Sequence, residues 1–245
     1  MTPADKPKTL EEMEKILIIC RRCPRLVAWR EEVATTKRRA YKDWAYWGKP
    51  VPGFGDPHAR LLVVGLAPGA HGSNRTGRMF TGDASGDFLY AALHRAGFAS
   101  QPYAHHQEDG LTLQDVYITA VARCAPPDNK PTLEELAACR PYLLEEMRLL
   151  SHVEGVVALG GIAYIQVLAI LRQQGASFDA PPFGHHALLQ PDGNFPWVLA
   201  SYHPSRQNTQ TGRLTARMFD QIWQTARRLL SNAPLAAASS DKVKL

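Results

Sequence analysis

Four short runs of mainly leucine and β-branched side chains alternate along this chain with longer helix-like segments. The runs cover residues 61–66, 116–121, 155–159 and 197–201. Short apolar runs bounded by turn residues are typical of parallel strands buried on both faces, and the intervening helices supply the crossover connections that parallel strands need. The pattern therefore predicts an α/β fold, a three-layer α/β/α sandwich with a central, mostly parallel four-stranded sheet.

Length and composition indicate one ordinary globular domain. Of the 245 residues, 45% are hydrophobic and 21% are charged, which excludes a disordered or fibrous protein. We assign residues 1–231 to a single domain and the Ala- and Ser-rich residues 232–245 to a flexible tail. The net charge of +5 suggests a polyanionic partner without identifying one.

The sequence predicts neither a membrane span nor a secretion signal. The longest apolar stretch, residues 162–171, is interrupted by Gln166 and is far shorter than the roughly 20 residues that cross a bilayer. The first ten residues contain Pro and Lys and lack the apolar run and cleavage site of a signal peptide. We therefore expect a cytoplasmic protein.

Four cysteines suggest a metal site. Cys20 and Cys23 form a Cys-x-x-Cys pair, and Cys124 and Cys139 follow far downstream. Four cysteines in a chain of this length are too few for a disulfide scaffold, and the second pair lacks the spacing of a zinc ribbon. One dispersed pair suits a [4Fe–4S] cluster, whereas a zinc ion and buried free thiols remain the alternatives.

The loop after the first predicted strand, residues 65–83, combines glycines with an aromatic ring and a carboxylate. It has neither the Gly-x-Gly-x-x-Gly spacing of a dinucleotide site nor the Gly-Lys-Ser/Thr ending of a P-loop. Its glycines let the backbone approach a flat or anionic group, while Phe80 offers a stacking face and Asp83 a carboxylate. Alternatively, Phe80 is a core residue and Asp83 caps a turn or a helix.

Polar loops also follow the second and the fourth predicted strands. Ligands of parallel sheets bind outside the carboxyl ends of the strands, so Asn129 and His203 can face the same crevice as the glycine loop. Five arginines against one acid between residues 201 and 231 give a local charge of +4, which suits phosphates. For Asn129 the alternative is a plain turn residue. We interpret the two tandem histidine pairs as surface loop residues: His105, His106, His185 and His186.

Residues 36–56 form a further segment that is both basic and aromatic. It breaks up on prolines and glycines from residue 50 onward, which predicts a loop. Its charged and aromatic members are Lys37, Arg38, Arg39, Tyr41, Lys42, Trp44, Tyr46 and Trp47.

Taken together, these motifs resemble the iron–sulfur uracil-DNA glycosylases. The resemblance rests on the four cysteines, the 65–83 loop, the Arg-Cys-Ala-Pro-Pro segment at 123–127 and the His-Pro-Ser-Arg-Gln-Asn loop at 203–208. The longer glycine loop and the Asn-Thr-Gln-Thr-Gly sequence at 208–212 are most similar to family 5, the type B enzymes of bacteria and archaea. The resemblance covers approximately residues 16–230.

This resemblance implies the uracil-DNA glycosylase fold and a DNA repair enzyme that flips deaminated bases out of DNA. The enzyme would hydrolyse the N-glycosidic bond and leave an abasic site, acting on uracil and also on hypoxanthine or xanthine. Met79 and Pro204 depart from the family pattern, in which proline often precedes the phenylalanine and valine follows the histidine in some relatives. These departures bear on substrate preference more than on the reaction.

The resemblance also implies roles for individual residues. The catalytic groups of the family fall on Asp83, Asn129 and His203. The other implied residues bind substrate (Gly65, Ala67, Gly69, Ala70 and Phe80), DNA (Ser205, Arg206, Gln207, Asn208 and Arg213) or the [4Fe–4S] cluster (Cys20, Cys23, Cys124 and Cys139). We expect a monomer that acts on damaged double- or single-stranded DNA. The competing hypothesis is a non-catalytic DNA-binding module stabilised by a four-cysteine metal site.

Overall fold

The computed structural model describes residues 6–231, so the predicted tail at 232–245 lies outside the described residues. These residues build one six-stranded sheet with the spatial order β1-β3-β2-β4-β6-β5. Its strands are β1 (Phe54–Gly55), β2 (Leu61–Gly65), β3 (Val116–Ala120), β4 (Gly155–Leu159), β5 (Leu188–Leu189) and β6 (Trp197–Ser201).

The four central strands are the predicted ones, and all of them run parallel. The two outer strands, β1 and β5, pair antiparallel with β3 and β6. Neither was predicted, because a two-residue strand is too short to show an alternating pattern. The mostly parallel α/β sheet is confirmed, with six strands in place of four.

Within residues 6–231, eight α-helices connect and cover the strands. Thr132 begins α5 with a capping box, in which its hydroxyl and the Glu135 carboxylate each accept a backbone N–H. The helices are α1 (Leu10–Leu17), α2 (Pro24–Thr36), α3 (Ser73–Thr76), α4 (Ala84–Arg95), α5 (Leu133–Leu149), α6 (Gly161–Gln173), α7 (Arg206–Gln210) and α8 (Ala216–Leu230). Short 3₁₀ helices cover Arg39–Tyr41 and Pro127–Asn129. Within residues 6–231, none of the helices has the length and apolar character needed to cross a membrane.

Side chains of the central strands alternate between two buried layers. Leu61 and Val63 in β2 pack in the same cluster as residues of α4 and α8, whereas Leu62 and Val64 pack with residues of α5 and α6. This alternation follows from the two-residue period of a strand. Both faces of the sheet are therefore covered, which confirms the predicted three-layer α/β/α sandwich.

The strand order places a crevice at a defined point of the sheet. The chain passes from β2 outward to β3 and then returns to form β4 on the other side of β2. Connections leave these two neighbouring strands in opposite directions, and ligands of open α/β sheets bind at such a switch point beyond the carboxyl ends of the strands. The loops that follow β2 and β4 therefore border the expected ligand crevice.

Candidate active site

Asp83 stands at the end of the glycine loop and begins α4. Its Oδ1 accepts hydrogen bonds from the backbone N–H groups of Ser85, at 3.0 Å, and Gly86, at 3.1 Å. Asp83 is therefore the helix cap that the sequence analysis raised as an alternative to a functional role. Burial raises the pKa of its carboxyl above the ordinary value, and the two backbone N–H groups oppose that shift.

The second carboxylate oxygen of Asp83 lies against the backbone of the glycine loop. A Cβ atom at Gly72 would stand 2.0 Å from Oδ2 of Asp83, and a Cβ at Gly69 would stand 2.9 Å from the same atom. Real Cβ atoms essentially never approach closer than 3.0 Å. A side chain at Gly72 is therefore incompatible with this position of the carboxylate, and one at Gly69 would displace it slightly, which gives the predicted Gly69 a specific structural role.

Phe80 lies between the end of β2 and the loop that follows β6. A Cβ at Gly65 would stand 2.8 Å from Cζ of Phe80, so the ring packs directly on the last residue of β2. The ring also stacks on His203, with the centroids 5.9 Å apart and an interplanar angle of 29°. Phe80 has a φ of +51° and is only 9% exposed, so it belongs to the core as well as to the site. A positive φ is costly for an aromatic residue, and the surrounding packing must hold it.

His203 follows β6 and meets the loop after β4. A Cβ at Gly160 would stand 3.6 Å from Cβ of His203, which places the histidine at the crevice predicted from the strand order. Burial lowers the pKa of His203 to about 4, so the imidazole is neutral at pH 7. A neutral imidazole carries one N–H donor and one acceptor. His203, which is distant in the sequence, is therefore brought against Phe80, three residues before Asp83 in the glycine loop.

Two further residues fix the backbone around His203. Asn208 donates from Nδ2 to the carbonyl oxygen of His203 at 2.9 Å. His185 accepts at Nδ1 from the backbone N–H of Tyr202 at 3.3 Å. The interpretation of His185 as a surface loop residue is wrong, because its ring is half-buried against the strand end that carries His203.

Asn129 is not drawn into this cluster. It ends an exposed 3₁₀ helix at a φ of +56°, and its side chain makes no hydrogen bond within residues 6–231. Its backbone N–H donates to the carbonyl of Pro126 at 3.2 Å, as in a tight turn. The geometry thus fits the turn interpretation, and a catalytic role for Asn129 stays a prediction. Ala67 and Ala70 are half-buried in the glycine loop on the β2 side.

The predicted DNA-binding loop forms the short helix α7. Ser205 accepts the backbone N–H of Asn208 at 3.4 Å and so caps this helix. Arg206, Gln207 and Arg213 are exposed to solvent, and the Arg213 guanidinium lies 4.8 Å from the centre of the Tyr202 ring. Asn208 is turned inward, as its bond to His203 shows, so it supports the site instead of presenting a free amide.

The local charge of +4 between residues 201 and 231 is only partly available to phosphates. Arg227 donates to the carbonyl oxygens of Ala96, at 2.9 Å, and Gly97, at 2.6 Å. It also covers the ring of Phe98, with its Cζ 3.5 Å from the centroid. Arg227 therefore holds the end of α4 against α8, which leaves its guanidinium less available to phosphates than those of Arg206 and Arg213.

All four cysteines line one pocket between α1, α2 and α5. Arg30, which is buried in α2, donates to Sγ of Cys124 at 2.9 Å and to the carbonyl oxygen of Cys20 at 3.2 Å. Burial raises the pKa of the Cys124 thiol to about 11, so a thiolate there needs a cation or a metal beside it. Within residues 6–231, no three His, Cys, Asp or Glu side chains are grouped closely enough to hold a single metal ion.

A buried ion pair that the sequence analysis did not identify lies beside this pocket. Arg123 and Glu146 form it, and each side chain is only 1% exposed. Thr119 donates its hydroxyl to the Glu146 carboxylate at 2.6 Å. Because Arg123 directly precedes Cys124, the pair connects β3 and α5 to the cysteine site. The sequence signal was weak, since an arginine and a glutamate 23 residues apart share no motif.

Arg75 is a second residue that the sequence analysis missed. It lies in α3 and is 3% exposed, and its Nη2 donates to the carbonyl oxygen of Gly82 at 2.8 Å. Its guanidinium is held between two aromatic rings, with its Cζ 3.9 Å from the centre of Tyr41 and 4.0 Å from that of Trp44. Arg75 thereby fixes the residue before Asp83 and joins the glycine loop to the basic and aromatic segment.

Comparison with known proteins agrees with this arrangement. The model of the uracil DNA glycosylase superfamily matches residues 52–227, which include Asp83, Phe80 and His203. A type-5 uracil-DNA glycosylase of Thermus thermophilus is 56% identical over 220 residues, which are 89% of this chain and 97% of that protein. A type-5 enzyme of Mycobacterium tuberculosis is 53% identical over 89% of this chain and 81% of its own length. One of Pyrobaculum aerophilum is 46% identical over 86% and 88%.

Proposed function

Because this chain belongs to the uracil DNA glycosylase superfamily and is similar to its type-5 enzymes along most of its length, we propose that it excises uracil from DNA. The reaction hydrolyses the N-glycosidic bond and leaves an abasic site. The observation that supports a catalytic site most directly is the convergence of Asp83, Phe80 and His203 at the switch point of the sheet. Hypoxanthine and xanthine are further substrates in this proposal.

The damaged nucleotide is extruded from the duplex into the crevice between the glycine loop and the His203 loop. Extrusion costs a few kcal/mol and is easiest for a mispaired base. Phe80 stacks on the extruded ring, and the glycine and alanine backbone near it admits a flat base closely: Gly65, Ala67, Gly69 and Ala70. The positive φ of Phe80 and its packing on Gly65 support this role, because they hold the ring rigidly.

His203 stabilises the base as it departs. Cleavage of the N-glycosidic bond develops positive, oxocarbenium-like character on the sugar and negative charge on the base. Since burial lowers the pKa of His203 to about 4, the histidine donates a hydrogen bond to the base oxygen as a neutral group. Loss of one donor of this kind typically costs about 2.7 to 4 kcal/mol of transition-state stabilisation.

Asp83 acts on the sugar side of the bond. Its carboxylate is fixed by two backbone N–H groups and by contact with Gly72. From this fixed position it orients the attacking water or stabilises the developing sugar cation. A role for Asn129 in holding the base or the water rests on the family resemblance alone, because its side chain lies outside this cluster.

A [4Fe–4S] cluster held by Cys20, Cys23, Cys124 and Cys139 completes the proposal. The support is that all four thiols face one pocket although they come from distant parts of the chain. A cluster offers a different iron atom to each thiolate, so its ligands stand further apart than the ligands of one ion. Bound there, a cluster would cross-link the N-terminal helices to the segment that carries Asn129.

The substrate is damaged double- or single-stranded DNA, bound by a monomer in the cytoplasm. Arg206, Gln207 and Arg213 are exposed beside the crevice and contact phosphates and the minor groove. Ser205 and Asn208 act from within the same loop, because they hold its backbone in place.

A labelled duplex with one uracil, incubated with the protein and then heated in alkali, tests the activity. Strand breaks at the uracil are expected, and the Asp83→Asn and His203→Ala variants should each lower the single-turnover rate at least 100-fold. Asn caps a helix as well as Asp does, so Asp83→Asn keeps the fold of α4. Exposed residues supply the controls, Asp179→Asn and His106→Ala, which should react at the wild-type rate.

Absence of breaks with uracil, hypoxanthine and xanthine in any duplex would support the non-catalytic DNA-binding module instead. The cluster has its own test, since purified protein should contain about four irons per chain and show a broad brown absorption. Iron-free, colourless protein from an anaerobic preparation would exclude it.

A further inference from the structure

The proposed reaction assigns no function to the basic and aromatic segment at residues 36–56. Residues 37–49 carry five cationic side chains and one acid, Asp43. Four of the cationic side chains are exposed: Arg38, Arg39, Lys42 and Lys49. None of the five forms an ion pair with a carboxylate within residues 6–231. By contrast, Arg21, Arg25 and Arg95 are each paired with an acid. The segment thus presents positive charge that the protein itself does not neutralise.

The aromatic residues of the segment fasten it to the glycine loop. Tyr41 and Trp44 enclose the guanidinium of Arg75. The backbone N–H of Trp47 donates to the carbonyl of Arg75, and that of Gly48 donates to the carbonyl of Asn74, each at 3.0 Å. A free basic tail would lose much conformational entropy on binding, whereas these contacts hold the segment in place beforehand.

The same contacts bring the segment to the edge of the active site. The Tyr46 hydroxyl lies 3.1 Å from Nδ1 of His71 and accepts the backbone N–H of Arg38 at 3.4 Å. His71 directly precedes Gly72, whose backbone contacts the Asp83 carboxylate. Contacts through Tyr46 and His71 therefore link the backbone of Arg38 to the glycine that lies against the Asp83 carboxylate.

We propose that Arg38, Arg39 and Lys42 form a second phosphate-binding surface for DNA, which rests on the proposed glycosylase function. This surface is joined to the glycine loop, whereas the α7 loop is joined to His203. The two surfaces bind the phosphates that flank the extruded nucleotide, one set on each side of it. Phosphate contacts position a protein on DNA without reading its sequence. Such contacts suit an enzyme whose target base can occur in any sequence.

The triple variant Arg38→Ala/Arg39→Ala/Lys42→Ala tests the surface. Its dissociation constant is measured by fluorescence anisotropy, over a range of salt concentrations, with a duplex that contains a tetrahydrofuran abasic analogue. Each lost phosphate contact should reduce the slope of log K against log salt by about 0.9 for duplex DNA. At about 0.1 M salt we expect affinity to fall at least tenfold.

The triple variant Lys8→Ala/Lys15→Ala/Arg172→Ala is the matched control, because it removes the same charge at exposed residues elsewhere. It should keep the wild-type slope. Equal slopes for the test and control variants would overturn the proposal. Thermal unfolding shows whether the test variant is folded. If it is not, the single charge reversal Arg39→Glu replaces it in the same binding measurement.

The two proposals fail in different ways. Wild-type protein that releases no uracil refutes the glycosylase function, whatever the slopes are. Wild-type protein that releases uracil, combined with an unchanged slope for the test variant, refutes only the second surface.

Discussion

The contact between Gly72 and Asp83 makes a quantitative prediction about catalysis. In Gly72→Ala the new Cβ would stand 2.0 Å from Oδ2 of Asp83, whereas ordinary contact begins at 3.4 Å. The carboxylate must therefore move by more than 1 Å. The next two atoms nearest to the new methyl group are Cγ and Cβ of the same aspartate, so the whole Asp83 side chain is displaced. Such a movement breaks or lengthens its bonds to Ser85 and Gly86.

We expect the single-turnover rate of uracil excision by Gly72→Ala to fall about 100-fold, since a misplacement of about 1 Å typically has an effect of this size. The free energy of unfolding should fall by about 1 to 3 kcal/mol, as for an overpacked core. Gly69→Ala, with its Cβ 2.9 Å from the same oxygen, requires a shift of only about half an ångström. Its rate should lie between those of wild type and Gly72→Ala.

Gly184→Ala is the control, because the nearest atom to its Cβ is 4.0 Å away. Rates are measured with enzyme in excess over a uracil duplex, and chemical denaturation gives the stabilities. If Gly72→Ala is as active as Gly184→Ala while both are folded, Asp83 does not act from the position described and the assignment of the site is wrong.

Three further outcomes follow from buried or engaged side chains. The pKa of His203 is lowered to about 4, so the unfolded chain binds an extra proton between pH 4 and pH 6.5. As the pH decreases through this range, the free energy of unfolding of the wild type should therefore fall by about 2 kcal/mol more than that of His203→Gln. An NMR titration that gives His203 a pKa near 6.5 would contradict this prediction. Glu146→Gln leaves Arg123 buried without a counter-charge and should lower the free energy of unfolding by about 3 to 5 kcal/mol, with partial recovery in Arg123→Met/Glu146→Leu. Arg227→Ala should lose about 1.5 to 3 kcal/mol of stability and keep the wild-type salt dependence of DNA binding. A reduced slope of log K against log salt would show that Arg227 contacts phosphates.

Local patterns in the sequence determined most of the architecture. Four apolar runs predicted the central strands, because the burial of a strand shows in the residues of the strand itself. The two outer strands were not predicted, because two residues are too few to show the alternating pattern of a strand. The motifs that resemble a glycosylase family also placed Asp83 and His203 in separate loops at one edge of the sheet, as the strand order confirms.

Tertiary structure alone decided which of the candidate residues act together. Nothing in the sequence near Arg227 distinguished it from Arg206, yet Arg227 is engaged by the end of α4 while Arg206 is exposed. Likewise, the close contact that makes Gly72 necessary involves a carboxylate eleven residues later, and the Arg75 guanidinium meets the rings of Tyr41 and Trp44 only in the folded chain.

The sequence by itself thus determined the fold class, the family resemblance and the loops in which the chemistry lies. Short-range patterns of burial, capping and motif spacing determine these properties. The protonation state of His203, the fixed position of Asp83 and the surface on which the basic segment lies were decided by the tertiary structure. Their physical cause is desolvation and packing between segments far apart in the chain, which no local pattern specifies.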